Sequence, residues 1–550
     1  MQYELFGKQI SGRFTIPSGI VTTNVYTIKY IAEHVPEIGI ITTKSIGKYP
    51  REGNREPIIH CYATGCPGTF INAVGLRNPG ADKFAEELSR IKLPPDRFLL
   101  ASIFGAMPDE MVYAAQKLEP YVDGFELNFS CPHSPGHGTA IGHDPKSIKI
   151  FTKAVREKTG KPVVAKLSPN TDHIDDLARA AMSAGANGLV AINTVGPKIY
   201  TIGEYPILTS PVGGSKSGER IKENRLESIR KIRDAVGYDF PMLIMGGISR
   251  ANDVRAHLPK EKYFGVGTVL AGMSTKNLIK YFAALESDVI NGTNEADRYL
   301  VLNRSGHKRF NVLRNERLAE DLSMVTLDGS FEIAPGQFAF AWIPSVGEKP
   351  YSLVENNPAK IAVQMRKRSD GTDGIFSTAL VNVKEGSEIY LRGPCGNAVE
   401  LEGIKSAVIV GGGTGTAAIY PIFSELREKG IDVKCFVGAK DKKHVVYADN
   451  FYGLASVSTD DGSYGSKGFV TDILAKRLKD SNIDANTVFF NCGPAPMLRE
   501  AEAIELKYVS KNNIFSSEEK MVRCGYGLCG ECARKDGLRT DVDGPFMNPI

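Results

Sequence analysis

The sequence predicts an α/β protein that begins with a (β/α)8 barrel and continues with a small antiparallel β-barrel, an α/β nucleotide-binding domain and a short cysteine-bearing segment. Three observations predict this order. Over residues 1–292, β-branched runs alternate with amphipathic helical stretches. A sequence rich in predicted strands follows, and the glycine cluster VGGGTGTAA then begins a second region in which strands and helices alternate. At roughly 100–200 residues per domain, a chain of 550 residues holds several such domains.

The barrel prediction rests on residues 1–292, where the apolar runs include FLLASI, GFELNFS, PVVAKLS, GLVAINT, PMLIMGG and YFGVGTVL. Repeated β-then-α units imply a parallel sheet, and this length suits a closed barrel better than an open sheet. Polar residues follow the strands at Asn128, Lys166, Asn193 and the Gly246-Gly247 pair. In such a barrel the carboxyl ends of the strands carry the chemistry, so we expect the site there.

Three further segments follow the barrel. Residues 301–400 carry strands with turn residues between them, as in DGSFEIAPGQFAFAWIP, and predict the antiparallel barrel. Residues 401–512 return to β/α alternation, and a strand runs into a glycine cluster and then a helix, the geometry that places a phosphate at a helix N-terminus. Alone, such a cluster is equally consistent with a simple turn. Residues 513–550 hold three clustered cysteines.

The bulk composition limits the classes of partner. The 67 Lys and Arg against 63 Asp and Glu give a net charge of +4 without a dense basic tract, which argues against nucleic acid and membrane surfaces and favours small molecules. The N-terminal text MQYELFGKQISGRF lacks a basic region followed by an apolar one, so we expect a cytoplasmic protein. The cysteines, 9 in number and mostly scattered, favour reduced thiols over a disulfide framework.

Two cysteine motifs indicate chemistry. ELNFSCPHSPGHG places Cys131 in a loop just past a strand, where a thiol with an ordinary pKa of about 8.5 suits base or nucleophile work, although a buried structural thiol fits the same text. RCGYGLCGECARKDGLRTDVDGPF spaces Cys524, Cys529 and Cys532 as C-x4-C-x2-C. A 2Fe-2S cluster bound only by thiolates needs a further cysteine, so one ligand is missing from this pattern.

The motifs of residues 1–290 together resemble those of class 1 dihydroorotate dehydrogenases, and PREGN and GLRNPG are most similar to class 1B. The matching stretches are TTKSIGKYPREGN, FINAVGLRNPG, AKLSPN, AINTV, GGSKSG, MGGIS and GVGTVLAG. The resemblance implies an FMN at the barrel mouth that is bound by Lys44, Lys166, Gly218, Gly246, Gly247, Gly267 and Thr268. It implies that a pyrimidine-type substrate is bound by Lys44, Asn72, Asn128, Asn193 and Thr194.

The implied reaction is desaturation of a carbon–carbon bond next to a carbonyl. One carbon loses a proton to Cys131 while its neighbour gives hydride to flavin N5, and Lys166 near flavin N1 stabilises the arriving negative charge. His133 stands where the family has Asn after Cys-Pro, and together with Gly136 and Gly138 it is similar to dihydropyrimidine dehydrogenases. His133 is therefore a candidate substrate-binding residue, unless it packs elsewhere in its loop.

Residues 301–550 resemble the electron-transfer subunit of class 1B dihydroorotate dehydrogenases, a member of the ferredoxin-reductase group, here joined to the catalytic barrel. The resemblance implies an FAD bound by Lys349, Pro350, Tyr351, Ser352, Gly374 and Ser377. Lys349 replaces the family's Arg and keeps the charge but not the bidentate fork. The resemblance also implies an NAD bound by Gly411, Gly412, Gly413, Gly415 and Cys492, the last of which is otherwise a small buried residue.

The same resemblance suggests a fourth cluster ligand. The family's last cysteine lies two residues before Asp-Gly-Pro, and in TDVDGPF that position is Asp541. A carboxylate is a harder ligand than a thiolate, but it is anionic and binds iron. Alternatively, Asp541 is a loop residue and the cluster is lost or completed by another group.

We therefore expect a flavin and iron–sulfur oxidoreductase that moves hydride equivalents between NAD(H) and a dihydropyrimidine, with dihydroorotate and orotate as the first choice. A 2Fe-2S cluster, which carries one electron at a time, would connect FMN to FAD. His133 leaves open a dihydropyrimidine dehydrogenase or another flavin-dependent C=C reductase, and a non-enzyme alternative is an electron-transfer adaptor whose barrel only docks a partner. The expected partners are a small pyrimidine-type substrate, NAD(H) and a second copy of the chain in a homodimer.

Overall fold

The structure, a computed structural model, describes residues 3–62, 65–129, 139–302, 306–368, 370–451 and 453–550. The chain forms two compact units. The first comprises Met1–Arg304 together with Tyr526–Arg539, and the second comprises Ser305–Gly525 together with Thr540–Ile550. Within the described part of the chain, no helix is long and apolar enough to cross a bilayer.

The first unit is built on a closed parallel barrel of eight strands. The strands are β1 Phe14–Ile16, β2 Ile38–Thr42, β3 Phe98–Ile103, β4 Gly124–Asn128, β5 Val163–Lys166, β6 Gly188–Ala191, β7 Met242–Met245 and β8 Tyr263–Gly265. A helix follows each strand: α1 Val25–His34, α2 Ala81–Leu88, α3 Pro108–Leu118, α4 Pro145–Arg156, α5 Ile174–Ser183, α6 Lys222–Val236, α7 Ala251–Arg255 and α8 Thr275–Asn291. The predicted (β/α)8 barrel is confirmed, and it includes β1 and β2, which the apolar runs did not reveal.

Each barrel strand pairs in parallel with the next, and β8 pairs with β1 to close the ring. Buried apolar side chains of the strands fill the barrel interior: Ile40, Phe98, Leu100, Val164, Val190, Leu243 and Met245. Leu5 and Ile10, which precede β1, belong to the same cluster. Side chains alternate between the two faces of a strand, so a residue two positions beyond an interior residue faces the interior again. Lys166 stands in that relation to Val164, at the end of β5.

Loops of the barrel add a four-stranded antiparallel sheet to the first unit. Its strands, in spatial order, are Val195–Lys198, Gly214–Ser217, Phe70–Asn72 and Ile59–Cys61. Asn72 pairs with Ser215 across two of these strands. The predicted substrate residue Asn72 is therefore held in regular structure, although it lies in a long excursion after β2.

The segment Tyr526–Arg539 packs as part of the first unit. The backbone N–H of Val21 donates to the Leu528 carbonyl at 2.6 Å. Arg539 is 1% exposed, and its Nη2 donates to the Met273 carbonyl at 2.9 Å. A buried guanidinium needs such partners, because an unpaired buried charge is strongly unfavourable. These bonds hold part of the cysteine-bearing segment against the barrel loops.

The second unit begins with a seven-stranded antiparallel sheet. Its strands are β9 Lys308–Ala319, β10 Leu322–Leu327, β11 Phe338–Ile343, β12 Gly347–Tyr351, β13 Glu355–Asn356, β14 Ala359–Gln364 and β15 Glu388–Cys395, and the helix is α9 Ile375–Val381. The spatial order is β12-β11-β15-β9-β10-β14-β13. Inward-facing residues such as Phe310, Val325, Ile361 and Leu391 form its buried core together with Phe376 of α9. The antiparallel strands predicted for residues 301–400 are therefore present, but their pairing, among the described residues, is that of a seven-stranded sheet and does not close into the predicted barrel.

A six-stranded parallel sheet follows in the second unit. Its elements are β16 Ser406–Gly412, α10 Gly415–Glu428, β17 Asp432–Ala439, β18 Ala455–Thr459, β19 Ser466–Lys467, α11 Val470–Lys479, β20 Val488–Gly493, α12 Ala495–Glu505 and β21 Ile514–Glu518. The spatial order β19-β18-β17-β16-β20-β21 changes direction at β16, which lies between β17 and β20. Such a change opens a crevice beyond the strand ends, where doubly wound sheets bind ligands.

Candidate functional site

The first unit encloses a cavity of about 200 Å³ at the carboxyl-terminal rim of its barrel. The predicted site residues that line it are Lys44, Asn72, Asn128, Lys166, Asn193, Thr194, Gly218, Gly246, Gly247, Gly267 and Thr268. The structure therefore brings together every predicted FMN and substrate residue of the barrel that lies within the described residues. The rim is also where barrels of this kind carry their chemistry.

The strand ends explain why residues so distant in sequence converge. Asn128 and Lys166 are the last residues of β4 and β5, and these two residues pair with each other in the sheet. Gly246 immediately follows β7, and Gly267 lies two residues after β8. Because all strands of the barrel are parallel, their carboxyl ends meet on one rim and deliver these residues to the same cavity.

Hydroxyl groups orient Asn128. Its Nδ2 donates to Ser45 Oγ at 2.9 Å, and Ser45 Oγ lies 2.9 Å from Ser102 Oγ and 3.0 Å from Ser18 Oγ. Asn128, Ser45 and Ser102 are buried. A hydrogen-bonded network in a buried position rigidifies its members, so Asn128 presents a fixed polar group to the cavity.

Close backbone packing at the cavity edge requires glycine. Gly218 has φ of +85°, and a Cβ built on it would lie 1.7 Å from the Gly68 carbonyl oxygen. Gly247 has φ of +73°, and its Cβ would lie 2.7 Å from the Gly218 carbonyl oxygen. The Thr268 hydroxyl donates to the Gly68 carbonyl at 2.6 Å. Any larger residue at Gly218 or Gly247 would push the neighbouring backbone segments apart. Glycine at these positions is typical of a site where backbone groups approach a ligand closely.

Two lysine side chains line the same cavity. A Cβ on Gly19 would lie 3.2 Å from Lys44 Nζ, so the Lys44 ammonium lies against the backbone. Lys166 Nζ lies 3.6 Å from Oε1 of the fully buried Glu126. Two ammonium groups combined with a glycine-rich backbone fit an anionic cofactor that carries a phosphate, the class to which FMN belongs.

Polar residues complete the lining. The Thr194 N–H donates to Asn193 Oδ1 at 2.8 Å, and Asn170 Nδ2 donates to the Thr194 carbonyl at 3.0 Å. From the added sheet, Asn72 Nδ2 donates to the Ser215 carbonyl at 3.3 Å. Amides carry donors and acceptors together, which suits a ring whose edge alternates carbonyl and N–H groups.

Cys131 and His133 lie outside the described residues, as do Gly136 and Gly138. The proposed base and the proposed substrate contact therefore stay predictions. Their position along the chain is nevertheless informative, because β4 ends at Asn128, three residues before Cys131. The predicted base thus follows a strand whose last residue lines the cavity.

Sequence reasoning missed Ser45, Arg225 and Leu528, and it assigned Cys529 only to the cluster and not to the cavity. Arg225 is fully buried in α6, its Nη1 donates to the Gly246 carbonyl at 2.8 Å, and burial lowers the pKa of its guanidinium. The surrounding sequence KENRLESIRKIRD is typical of a solvent-exposed charged helix, so the local sequence does not distinguish Arg225 from its charged neighbours. Leu528 and Cys529 line the cavity, but their motif was assigned to a separate segment.

The predicted FAD residues lie on neighbouring elements of the second unit. Lys349, Pro350 and Tyr351 end β12 and Ser352 follows, while Gly374 precedes α9 and Ser377 lies in its first turn. The ring centroids of Tyr351 and Phe376 are 6.2 Å apart, so β12 and α9 meet. The Ser377 hydroxyl donates to the Gly374 carbonyl at 3.1 Å and accepts from the Arg366 N–H at 3.0 Å. Burial raises the pKa of Tyr351, which keeps the phenol neutral.

The predicted NAD residues meet at the crevice of the parallel sheet. Gly411 and Gly412 end β16, Gly413 follows, and Cys492 lies in the neighbouring strand β20. A Cβ on Gly415 would lie 2.3 Å from the Cys492 carbonyl oxygen, so the start of α10 packs directly on the end of β20. Desolvation raises the pKa of the Cys492 thiol to about 12. A thiol that is neutral near pH 7 is a poor metal ligand.

The predicted cluster ligands are divided between the units. Cys524 and Asp541 belong to the second unit, and Cys529 and Cys532 belong to the first. Cys524 Sγ donates to Asp541 Oδ2 at 3.2 Å, and both side chains are buried. Across the described ranges, no group of three or more His, Cys, Asp or Glu side chains is arranged to hold a metal ion. Within the second unit, Cys524 and Asp541 are therefore adjacent candidate ligands.

Comparisons with known proteins match parts of the chain. Residues 1–260 match the family model described as dihydroorotate dehydrogenase. Over 258 residues the chain is 40% identical to dihydroorotate dehydrogenase B (NAD(+)), catalytic subunit, of Pyrococcus horikoshii, an alignment that covers 46% of this chain and 80% of the relative. Over 258 residues it is 36% identical to the protein of the same name from Methanocaldococcus jannaschii, which covers 46% of this chain and 81% of that relative. A solved NADH-dependent reduced ferredoxin-NADP oxidoreductase shares 27% identity, covers 44% of this chain and 89% of its own, and has a TM-score of 0.39.

Proposed function

The chain belongs to the dihydroorotate dehydrogenase family, and we propose that it is a fused enzyme in which an FMN-dependent barrel is joined to FAD and NAD modules. The barrel would interconvert a dihydropyrimidine and its unsaturated form. Because the relatives are named NAD(+)-dependent dihydroorotate dehydrogenases, dihydroorotate and orotate are the substrates that we propose first. The observation that carries the proposal is that one cavity is lined by the described FMN and substrate positions together.

The residues of the cavity support this assignment through their chemistry. Bound FMN would supply a two-electron acceptor next to the substrate. Gly246, Gly247 and Gly267 would bind its phosphate through the backbone, and Lys44 and Lys166 would place ammonium charge around its ring system. A fixed ammonium stabilises negative charge arriving on the ring, and it does so without reorganisation because the side chain is already in place.

The substrate step requires a base and a ring held in one orientation. Cys131 would accept the proton from a substrate carbon. Asn128, fixed by Ser45, would hold the pyrimidine edge together with Asn193 and Thr194. Holding the ring in this way converts proton removal into a step within a bound complex, which lowers its entropic cost.

The second unit supports the electron-transfer part of the proposal. The FAD positions occupy β12 and the start of α9, and the NAD positions occupy the crevice between β16 and β20. A change of strand direction is where doubly wound sheets bind nucleotides. We therefore propose that NAD(H) binds at this crevice and exchanges hydride with an FAD held by the antiparallel module.

We expect the purified, flavin-loaded protein to contain FMN and FAD in equal amounts, because each flavin has its own set of positions in its own unit. Dihydroorotate and NADH should each reduce bound flavin under anaerobic conditions. Extraction and chromatography measure the flavin ratio, and anaerobic absorbance titration measures the reduction.

A single flavin type would contradict the proposal of two flavin sites. Reduction by NADH but by no dihydropyrimidine would contradict the catalytic role of the barrel. Faster reduction by other dihydropyrimidines than by dihydroorotate would instead favour the dihydropyrimidine dehydrogenase alternative suggested by His133.

The iron–sulfur cluster stays a prediction from cysteine spacing, and iron analysis tests it. Asp541→Ala should lower the iron content of the protein, because it removes one of the two candidate ligands that lie in contact. Asp536→Ala is the matched control, since Asp536 lies in the same motif but pairs with Arg534 at 2.8 Å, and it should keep the parental iron. An Asp541→Ala protein with the iron and visible spectrum of the parent would show that Asp541 is not a ligand.

A further inference from the structure

Glu126 is a buried carboxylate without a hydrogen-bond partner beside the flavin cavity. Its relative exposure is 0%, and within the described residues neither of its Oε atoms has a hydrogen-bond partner. Its ion-pair partner is Lys166, whose Nζ lies 3.6 Å from Glu126 Oε1. Lys166 lines the cavity, whereas Glu126 does not. The carboxylate therefore touches the site only through the ammonium group.

The strand register explains this placement. Glu126 pairs with Val164, and two residues further along the same strands Asn128 pairs with Lys166. Val164 belongs to the apolar filling of the barrel interior. Because residues two apart on a strand share a face, Glu126 lies on the interior face one level below Asn128. Glu126 is therefore a charged residue at a level of the barrel interior where its neighbours, such as Val164, are apolar.

A lone carboxylate at this depth is strongly unfavourable, since burial removes its hydration and no hydrogen bond replaces it. The charge of Lys166 is what compensates it. We propose that Glu126 is a positioning residue that anchors the Lys166 ammonium from beneath and balances its charge, and thereby sets how strongly the cavity favours the reduced, anionic form of its cofactor. This inference rests on the proposed FMN site.

The proposal makes a signed prediction about charge. With Glu126 and Lys166 both ionised, the pair contributes no net charge beside the cavity. Glu126→Gln leaves the ammonium unbalanced, so the added positive potential should raise the reduction potential of bound FMN. Lys166→Met removes the ammonium from beside the cavity and should lower the potential. The double variant removes both charges, and its potential should lie below that of Glu126→Gln.

The experiment measures the FMN reduction potential of the full chain by equilibration with reference dyes, together with the affinity of the flavin-depleted protein for FMN. We expect Glu126→Gln to shift the two-electron reduction equilibrium at least about tenfold, or about 30 mV. Glu261→Gln is the matched control. Glu261 is another buried carboxylate of the first unit, 3% exposed and paired with Arg233, and it does not line the cavity. It should lower thermal stability without changing the potential.

A Glu126→Gln protein that loses stability as the control does, with the parental potential, would overturn the proposal, because Glu126 would then be structural only. If Glu126→Gln does not fold, Glu126→Met takes its place in the same measurement, and a parental potential in that variant overturns the proposal. A parent protein that binds no FMN overturns the proposed function and this inference with it, whereas bound FMN with an insensitive potential overturns this inference alone.

Discussion

Cys131→Ala should lower the rate of flavin reduction by dihydroorotate about 10²–10⁴-fold, the usual contribution of a positioned acid or base. Reduction of flavin by NADH should remain close to that of the parent, because the NAD positions lie in the other unit. Both rates are measured in the same preparation by anaerobic stopped-flow absorbance. Loss of the base should lower only the rate with dihydroorotate, whereas a general loss of folded protein should lower both rates.

The matched control for this variant is Cys66→Ala. Cys66 is a half-buried thiol of the first unit that does not line the cavity, so its removal should leave both rates near those of the parent. Equal losses of the two rates in Cys131→Ala would mean that Cys131 supports the fold and is not the base. The proton would then have to go to another group at the cavity.

Gly413→Asp should weaken NADH binding on the order of 10–100-fold while leaving reduction by dihydroorotate intact. Gly413 has φ of +55° with open space around the position of a Cβ, and Asp tolerates this backbone region. The new carboxylate would stand just before α10, where the nucleotide phosphates are proposed to bind. Two like charges at about 4 Å repel by roughly 1–4 kcal/mol near a protein surface. The KM for NADH in steady-state turnover with orotate as the electron acceptor measures the effect.

Gly413→Asn separates charge from shape. Asn has the same size as Asp and tolerates the same backbone region, but it is neutral. We expect it to keep the KM for NADH within a few-fold of the parent. A Gly413→Asp protein with a parental KM would show that NADH binds elsewhere and that the glycine cluster is only a turn.

The barrel was predictable because its signals are local. Runs such as FLLASI and PMLIMGG became β3 and β7, and the polar residues that end such runs reached the rim because parallel strands share one direction. β1 was missed because its three residues are followed at once by Pro17, whereas the equally short β8 begins the longer apolar run YFGVGTVL. Glu126 could have been found, because the period of two along ELN places it on the same face as Asn128.

Other parts of the site were not predictable, because they depend on tertiary contacts. Arg225 reads as one charge in a charged helix, and only packing shows that it supports the Gly246 carbonyl. Ser45 acquires its role from Asn128, which lies 83 residues away. Cys529 lines the cavity because the segment Tyr526–Arg539 packs with residues 1–304 in the first unit. No local sequence pattern encodes a contact between segments so far apart in the chain.

The attachment of residues 526–539 to the first unit has a consequence for biosynthesis. The last barrel strand ends at Gly265, so all eight strands are synthesised early. Leu528 and Cys529 form part of the cavity wall, and they leave the ribosome much later. The barrel can begin to fold during translation, since domains generally fold as units from the N-terminus, but its cavity cannot acquire this part of its wall until the second unit's main segment has been made. Acquisition of the cofactor in the complete cavity would thereby follow translation of almost the whole chain, so that a stalled or truncated product carries a barrel with an unfinished wall.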